Sequence, residues 1–334
     1  MRGCSLRMEK GLRRKMEPSA IPHRGFREAL FCFLLLAIAA PPACSAGTVQ
    51  ELSNHLYAYI SANDHSSNST FLIGSNGIFV VDTGLNPVEG SKLLSQMQKV
   101  SRLPVRYILT THYHPDHQGA NRLWPDAVII STEFTRARTL QLIAAEVKNR
   151  PAAPSPSPSD LSMRSLPQFR VATLTFTGKI TLYTGKDSVE IYAAGAAHTG
   201  GDAFAYFPRQ GVVATGDLYI TKSCPDIDHG NVAHWVQVLD FMLSLPASRF
   251  VPGHFGLGSR AQVLRFRDYL ADLYAQVQQM YKSGATLEEV RRGVHMEKYA
   301  DFRQFPKFGA TFADNAAEVY RELAEARQQG AGKH

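Results

Sequence analysis

The sequence predicts a mixed α/β protein in which two strand-rich blocks are each followed by helices. Short apolar and β-branched runs bounded by turn residues predict the strands, and apolar residues at helical spacing predict the helices. The chain has 334 residues, of which 44% are hydrophobic and 19% are charged. This length and composition are typical of a globular protein with a substantial core, built as one large domain or two smaller ones.

Strands and helices alternate in the first block. The G-S-N-G motif at 74–77 is typical of a hairpin turn between two strands. The predicted strands are Leu56–Ile60, 70–73, Ile78–Val81, Val105–Leu109 and 127–130. The predicted helices are Pro87–Val100, a short helix at 119–124, and Glu133–Asn149.

The second block follows segment 151–167, which contains five prolines and five serines. This composition predicts an irregular connection, with a domain boundary as the alternative. The predicted strands are 171–176, 180–183, 189–193, 203–207, 212–215 and 250–251. The predicted helices are 234–245, Arg260–Lys282, a short helix opened by the capping-box motif at 286–289, and 313–329.

The first 46 residues resemble a secretory signal. A basic region precedes an apolar run at 29–40, which is followed by Pro41, Pro42 and small residues. The run is too short to span a bilayer comfortably, so we predict cleavage near Ala46 and export to the periplasm or the medium. An uncleaved membrane anchor is the alternative, and the membrane is expected to be contacted only through this segment.

The net charge of +7 does not indicate a nucleic-acid-binding protein. Residues 1–46 contain eight Lys and Arg against three Glu, so this segment carries +5 of the total. The rest of the chain therefore has no strong excess of positive charge. Three of the four cysteines also lie in this segment, and Cys224 alone would remain after cleavage. No intrachain disulfide is then possible, even in an oxidising compartment.

A histidine-rich motif follows the predicted strand Val105–Leu109. The chain there reads T-T-H-Y-H-P-D-H, with His112, His114, Asp116 and His117 inside six positions. So many imidazoles and carboxylates in one short loop are unfavourable unless a cation binds them. Neutral imidazole nitrogens and carboxylate oxygens are ligands that suit zinc and similar divalent metals.

Three later loops offer the ligands that this motif lacks. His198 stands in G-A-A-H-T-G-G-D, Asp217 in A-T-G-D and His254 in V-P-G-H. Each follows a predicted strand and lies close to glycine, which permits a tight bend of the backbone. Because strand ends cluster at one edge of a sheet sandwich, we expect all four loops to meet at a metal site there.

These motifs resemble those of the metallo-β-lactamase superfamily. The H-x-H-x-D-H motif, the V-V-D-T-G, H-T-G-G-D and P-G-H patterns and the separate aspartate loop match it over roughly residues 56–255. The resemblance implies a four-layer αββα sandwich with a dinuclear site between the two sheets. It divides the chain into a catalytic domain at 47–258 and a C-terminal helical extension at 259–334.

The resemblance also implies the role of each ligand. Two divalent ions are expected, with zinc as the first expectation and iron or manganese as alternatives. Asp82 resembles a structural acid of the family near the site and is not expected to be a ligand. The expected ligands of one metal are His112, His114 and His198, those of the other are Asp116, His117 and His254, and Asp217 bridges the two.

The resemblance implies an exported zinc-dependent hydrolase that opens an ester, thioester, lactone or β-lactam bond with a metal-bound hydroxide. Asp116 is the expected catalytic proton shuttle. Asp217 stands where β-lactamases proper generally carry another residue, which favours esters, thioesters and lactones. Hydrolysis of β-lactam antibiotics is one alternative, and an iron-binding redox protein is another. The expected partner is a small, anionic substrate, because two metals, two aspartates and hydroxide sum to a positive charge. The oligomeric state is left open.

Four residues are candidates for contact with the substrate, each with a plainer alternative. Tyr113 lies inside the metal motif and either lines the pocket or packs in the core. Tyr219 either forms an apolar wall or belongs to the core. Lys222 follows Asp217 by five residues, and a solvated loop lysine is its alternative. Asn231 lies in a histidine-flanked loop before a predicted helix.

Overall fold

The computed structural model describes residues 47–149, 169–221, 223–227, 230–302 and 311–331. The predicted signal segment, the proline-rich segment at 151–167 and Lys222 lie outside the described residues. Within the described residues, two β-sheets pack face to face, and helices cover the outer side of each sheet. This arrangement confirms the predicted αββα fold.

Sheet A follows the order of the sequence. Its first four strands pair antiparallel, and the remaining ones pair in parallel. Its strands are β1 (Thr48–Ser53), β2 (Leu56–Ile60), β3 (Ser69–Ile73), β4 (Ile78–Val81), β5 (Val105–Leu109), β6 (Val128–Thr132) and β7 (Leu174–Phe176).

Sheet B has the order β13-β12-β11-β10-β9-β8, with β11 and β12 parallel and the other neighbours antiparallel. Its strands are β8 (Lys179–Thr184), β9 (Asp187–Gly195), β10 (Asp202–Phe207), β11 (Val212–Gly216), β12 (Arg249–Pro252) and β13 (Gly258–Ser259).

Capping residues mark the starts of three of the helices. Asn86 caps α1, while Ser259 and Thr286 form capping boxes at the starts of α5 and α6. The helices are α1 (Pro87–Val100), α2 (Pro115–Gln118), α3 (Glu133–Asn149), α4 (Val232–Ser244), α5 (Arg260–Lys282), α6 (Leu287–Gly293) and α7 (Phe312–Ala331), with 3-10 turns at Asn121–Leu123 and Glu297–Phe302.

Side-chain alternation along the strands produces the layers. In β4, Phe79 and Val81 point between the sheets, whereas Ile78 and Val80 pack beneath α1. Successive side chains of a strand point to opposite faces, so a strand covered on both faces is apolar throughout. Phe79 meets Phe207 of β10 across the sandwich, with ring centroids 6.2 Å apart.

The C-terminal helices pack on the outer face of sheet B. Val263, Phe266 and Tyr269 of α5 share one buried cluster with Trp235 of α4 and Phe250 of β12. The predicted division between residues 258 and 259 falls inside β13, directly before α5, and it remains a prediction. No helix in the described parts of the chain is long and apolar enough to cross a membrane.

Several predicted elements differ from the structure at their ends. The short helix predicted at 119–124 is instead α2 followed by a 3-10 turn, because Pro115 opens a helix inside the histidine motif. The strand predicted at 171–176 is ordered as a strand only from Leu174. The strands β1 and β13 were not predicted, since neither has a distinct apolar run.

Candidate metal centre

All the predicted metal ligands lie at one edge of the sandwich. Each lies in a loop that follows the C-terminal end of a strand, and these strand ends meet at that edge. The motif with His112 follows β5, His198 lies between β9 and β10, Asp217 follows β11 and His254 follows β12. Backbone hydrogen bonds tie these loops together, including one from the Gly253 N–H to the Gly216 carbonyl at 2.8 Å.

The first group of candidate ligands contains three histidines and one carboxylate. One ligand atom each from His112, His114, His198 and Asp217 lies within 4.8 Å of the others. The Nε2 atom of His198 is 3.2 Å from Nδ1 of His114 and 3.6 Å from Oδ2 of Asp217. His112, His198 and Asp217 are buried, and His114 is half-buried.

The second group contains two histidines and one carboxylate. Ligand atoms of Asp116, His117 and His254 also lie within 4.8 Å of one another. Oδ2 of Asp116 is 3.0 Å from Nε2 of His254 and 3.6 Å from Nε2 of His117. Asp116 is 18% exposed, so it is the member of this group that solvent reaches.

Asp217 lies between the two groups and faces both. Its Oδ1 is 3.3 Å from Nε2 of His117 and 3.6 Å from Nε2 of His254. Its Oδ2 is 3.6 Å from Nε2 of His198. A Cβ atom at Gly253 would lie 1.8 Å from Oδ1, so the glycine of the P-G-H pattern leaves room for the carboxylate.

Asp82 orients two of the histidines from behind. Its Oδ2 is 2.8 Å from Nδ1 of His117, and it accepts a hydrogen bond from the Thr111 hydroxyl at 2.8 Å. Because that hydroxyl donates to Asp82, it accepts from Nδ1 of His112 at 3.0 Å. Both Nδ1 atoms therefore carry protons, and Nε2 is the atom of each ring that a metal ion would bind. Asp82 adopts a positive φ of 55°, which is uncommon outside glycine.

Backbone carbonyls orient two further histidines. Nδ1 of His198 donates to the Asp226 carbonyl at 2.9 Å, and Nδ1 of His254 donates to the Asp64 carbonyl at 3.2 Å. A carbonyl can only accept, so in each ring the Nε2 atom again carries the electron pair. Sequence reasoning did not find these partners, because every residue has a carbonyl and no side-chain pattern marks the ones used.

Burial keeps two histidines of the first group neutral. It lowers the pKa of His112 well below the ordinary value and lowers the pKa of His198 to about 3. The carboxylate of Asp217 opposes this effect without overcoming it. These two imidazoles are therefore uncharged at neutral pH, with a proton on Nδ1 and none on Nε2, which is the form that binds a metal.

The second group has the opposite electrostatics. Burial lowers the pKa of His117, but Asp217, Asp116 and Asp82 outweigh it and hold that pKa well above the ordinary value. Burial raises the pKa of Asp217, yet His117 and His254 outweigh it and hold that pKa well below its usual range. The carboxylates of this group thus remain ionised and attract a cation.

The described residues fit a metal ion at each group. The Nε2 atom of His112 is buried without a hydrogen-bond partner among the described residues, and Nε2 of His117 and Oδ1 of Asp217 are buried 3.3 Å from each other. Buried polar atoms left unpaired cost free energy, and nearly all find a partner in native proteins. A divalent ion bound by imidazole and carboxylate would satisfy them, and this donor set suits zinc.

The predicted substrate residues have different positions. Tyr113 is buried beside the first group, with its ring centroid 4.8 Å from that of His114. Tyr219 is buried against Phe266 of α5, so it lies in the core, which was its alternative. Asn231 is the N-cap of α4. Lys222 is outside the described residues, and contacts of all four with a substrate remain predictions.

Two residues at the start of α3 approach the site and were not predicted. The Phe134 ring lies 6.3 Å from that of Tyr113, and the Arg138 guanidinium lies 4.8 Å from the centroid of the same ring. Their helical pattern was recognised, but a pattern does not show which loop a helix end meets. These residues flank the histidine motif on the side of sheet A.

A sequence profile described as the metallo-beta-lactamase superfamily matches residues 62–254, more than half of the chain. The alpha subunit of 2,4-dinitroanisole O-demethylase from Nocardioides sp. is 26% identical over 70% of this chain and 63% of its own length. Linear primary-alkylsulfatase from Pseudomonas sp. is 23% identical over 73% of this chain and 53% of its own length. The matches thus span about half to two thirds of these two relatives.

Further similarities point to the same fold. Metallo-beta-lactamase IND-1 from Chryseobacterium indologenes is 22% identical over 66% of this chain and 90% of its own. Among solved structures, a metallo-beta-lactamase from Pontibacter korlensis has a TM-score of 0.53 at 18% identity and covers 67% of this chain and 99% of its own. A sec-alkylsulfatase from Pseudomonas sp. has a TM-score of 0.64 at 15% identity and covers 82% and 50%.

We expect the zinc affinity of the metal-free protein to rise with pH across the neutral range. The raised pKa of His117 means that this imidazole holds a proton at neutral pH, and zinc must displace it. Calorimetric titration of zinc in two buffers with different ionisation enthalpies should show release of about one proton from this group. A variant of the exposed His295, His295→Gln, serves as the control. Affinity that does not change between about pH 6 and 8 would contradict the assignment.

Proposed function

Because the chain belongs to the metallo-beta-lactamase superfamily, we propose that it is an exported hydrolase that uses two zinc ions to cleave a small, anionic ester, thioester, lactone or β-lactam. The observation that carries this proposal is the buried carboxylate of Asp217. One of its oxygens faces the His117–His254 pair and the other faces His198. A carboxylate in that position can bridge two metal ions.

The protein residues would divide the work between them. One ion would be held by His112, His114 and His198, the other by Asp116, His117 and His254, with Asp217 shared. When bound, the ions supply a water molecule of lowered pKa and a Lewis acid for the substrate oxygen. The buried carboxylate of Asp217 and the partly exposed carboxylate of Asp116 make the site favourable for cations.

Asp116 is the residue proposed to move a proton. Burial raises its pKa, but His117 and His254 outweigh it, so the pKa is lowered and the group is a carboxylate at neutral pH. It is also more exposed than Asp217, 18% against 5%. Asp116 can therefore take a proton within the site and deliver it to a departing alkoxide, thiolate or amine.

Arg138 supports the anionic character of the substrate. Its guanidinium stacks on Tyr113, and Tyr113 in turn contacts His114. No carboxylate among the described residues pairs with Arg138, which bonds to the amide oxygen of Gln141. A cation that has no acidic partner in the described part of the chain, one aromatic ring away from the first ligand group, is suited to bind a carboxylate or sulfate of the substrate.

Sulfate-ester hydrolysis is a second candidate function, favoured by the comparisons. The chain is similar to linear primary-alkylsulfatase in sequence and to a sec-alkylsulfatase in fold. Alkyl sulfates are themselves anionic esters, so the arguments from charge and from Arg138 apply to them equally. Carboxylic esters and lactones remain the first proposal, because Asp217 is the aspartate found in superfamily members that act on such bonds.

Replacement of Asp116 by asparagine should abolish most hydrolysis. We expect the rate to fall by about 10²- to 10⁴-fold, because asparagine cannot accept the proton. The assay compares a lactone, a thioester, a carboxylic ester, an alkyl sulfate and a β-lactam, each with and without a chelator. Asp126→Asn changes an exposed aspartate away from the site and is the matched control.

Metal analysis of the same samples shows whether Asp116→Asn loses hydrolysis because it loses proton transfer or because it loses zinc. An Asp116→Asn protein that retains two zinc ions and loses activity supports the proton-transfer role. Full activity with full metal would contradict it. Stoichiometric iron in the native protein, with no hydrolysis of any substrate, would overturn the proposal of a hydrolase in favour of the redox alternative.

Replacement of Arg138 by glutamine should raise the KM for anionic substrates by about 10- to 150-fold, because a charge-assisted hydrogen bond contributes about 1.5–3 kcal/mol. The kcat and the KM of a neutral analogue should change little. Arg136→Gln is the matched control, since Arg136 lies on the same helix and bonds to the Ala172 carbonyl instead. Equal loss for neutral and anionic substrates would exclude a role in charge recognition.

The export proposal rests on the basic, apolar and small-residue pattern of residues 1–46. Expression of the full chain in a bacterial host should yield a protein in the periplasm or medium whose N-terminus is near Gly47. N-terminal sequencing of each cell fraction measures this directly. A full-length protein found only in the cytoplasm would refute export, and one found in the membrane fraction would support an uncleaved anchor.

A further inference from the structure

Helix α4 begins against the loop that carries His198. The backbone N–H of Asn231 donates to the Ala197 carbonyl at 3.0 Å, and Nδ1 of His234 donates to the Ala196 carbonyl at 2.7 Å. These two bonds hold the residues directly before His198. The first turn of α4 therefore sets the path of the backbone from which this candidate ligand projects.

The same helix supports the loop of Asp217. Trp235 is fully buried, and its Nε1 donates to the carbonyl of Leu218, the residue after Asp217, at 2.9 Å. The ring of Trp235 also lies behind that of His198, with centroids 5.6 Å apart. Trp235 thus contacts both the imidazole of His198 and the loop that carries Asp217. These two candidate ligands face each other in the site.

The segment that leads into α4 fits closely against His198. A Cβ atom at Gly230 would lie 2.2 Å from the Ala197 carbonyl oxygen and 2.8 Å from that of His198, so the two backbones touch. The Asp226 carbonyl accepts the hydrogen bond from Nδ1 of His198. A shift of the start of α4 would be transmitted through Gly230 to the backbone of His198.

A carboxylate from the C-terminal helix α7 holds the first turn of α4. Oε2 of Glu322 accepts a hydrogen bond from the backbone N–H of Val232 at 2.8 Å, and Glu322 also interacts with the N–H of Ala233. Asn231 accepts from the N–H of His234 at 2.7 Å. N–H groups that a helix leaves unpaired at its start are thus satisfied, and the negative charge favours that end of the helix.

We propose that Glu322 is a positioning residue for the metal centre. By fixing the start of α4, it holds His198 and the loop of Asp217 in the arrangement that binds the ion of the three-histidine group. This inference rests on the proposed metal-dependent function. It also assigns a role to the C-terminal helices, which would be part of the support of the site. Glu322 touches neither substrate nor metal and acts through α4.

The test compares the full-length proteins carrying Glu322→Gln and Glu325→Gln. Both changes remove one negative charge from α7, but Glu325 is exposed. We expect Glu322→Gln to weaken binding of one zinc ion by about two- to fivefold, because glutamine keeps one acceptor oxygen for the Val232 N–H but loses the negative charge at the start of α4. The second zinc ion should bind to Glu322→Gln as tightly as to the native protein. Both zinc ions should bind to Glu325→Gln as tightly as to the native protein. Competition with a chromophoric chelator measures each affinity.

A measurement on the metal-free protein separates this inference from the proposed function. The Nδ1 proton of His198 should be observable by NMR, because its hydrogen bond to the Asp226 carbonyl slows exchange with water. In Glu322→Gln this exchange should accelerate at least several-fold, and in Glu325→Gln it should not change. Far-UV circular dichroism checks that both variants are folded, and glutamine retains the size of the side chain.

The outcomes are distinguishable. If the native protein binds no zinc, the proposed function fails, and the exchange of the His198 proton still decides whether Glu322 positions the ring. If the native protein binds two zinc ions, and Glu322→Gln binds both equally well with unchanged exchange, the positioning role is overturned. An equal loss of affinity for both zinc ions in both variants would also overturn the positioning role, since a general effect of charge would then account for the result.

Discussion

The buried carboxylate of Asp217 is the constraint on which the rest of the site depends. An ionised group in a protein interior is costly unless opposite charges or hydrogen bonds compensate it. Asp217 belongs to sheet B, yet His117, which lowers its pKa most, belongs to the histidine motif of sheet A. The site therefore exists only when the two sheets are closed on each other, and a cation between them satisfies groups from both.

Each imidazole is held by a different part of the chain. Asp82 fixes His117 directly and His112 through a hydroxyl, while backbone carbonyls fix His198 and His254. This arrangement sets the proton-bearing nitrogen of each ring and aims the other nitrogen at the centre. The binding geometry consequently depends on loops and helices that never contact a substrate, with α4 as the element that serves two of the ligand loops.

Substrate choice depends on a different set of residues. The superfamily fold places the ligand groups at one edge, and similar proteins with this fold are named for β-lactam, alkyl sulfate and aryl ether substrates. Fold and ligand set therefore do not select among these bonds. In this chain the rim beside the first ligand group is aromatic and cationic, formed by Tyr113, Phe134 and Arg138. This surface is the basis of the proposal that the substrate carries an anion.

The sequence by itself determined the local elements and the ligand types. The predicted bounds of α1, β5, α3 and α5 agree with the structure, because apolar spacing and caps act within a few residues. The histidine motif was recognisable because three imidazoles and a carboxylate crowded into one short loop are unfavourable unless they bind a cation. The resemblance to the superfamily already implied that Asp217 lies between the two groups, but only the tertiary structure decided that Arg138 reaches Tyr113 and that Glu322 caps α4. These contacts join residues far apart in the chain, and no short-range pattern encodes which distant partners packing brings together.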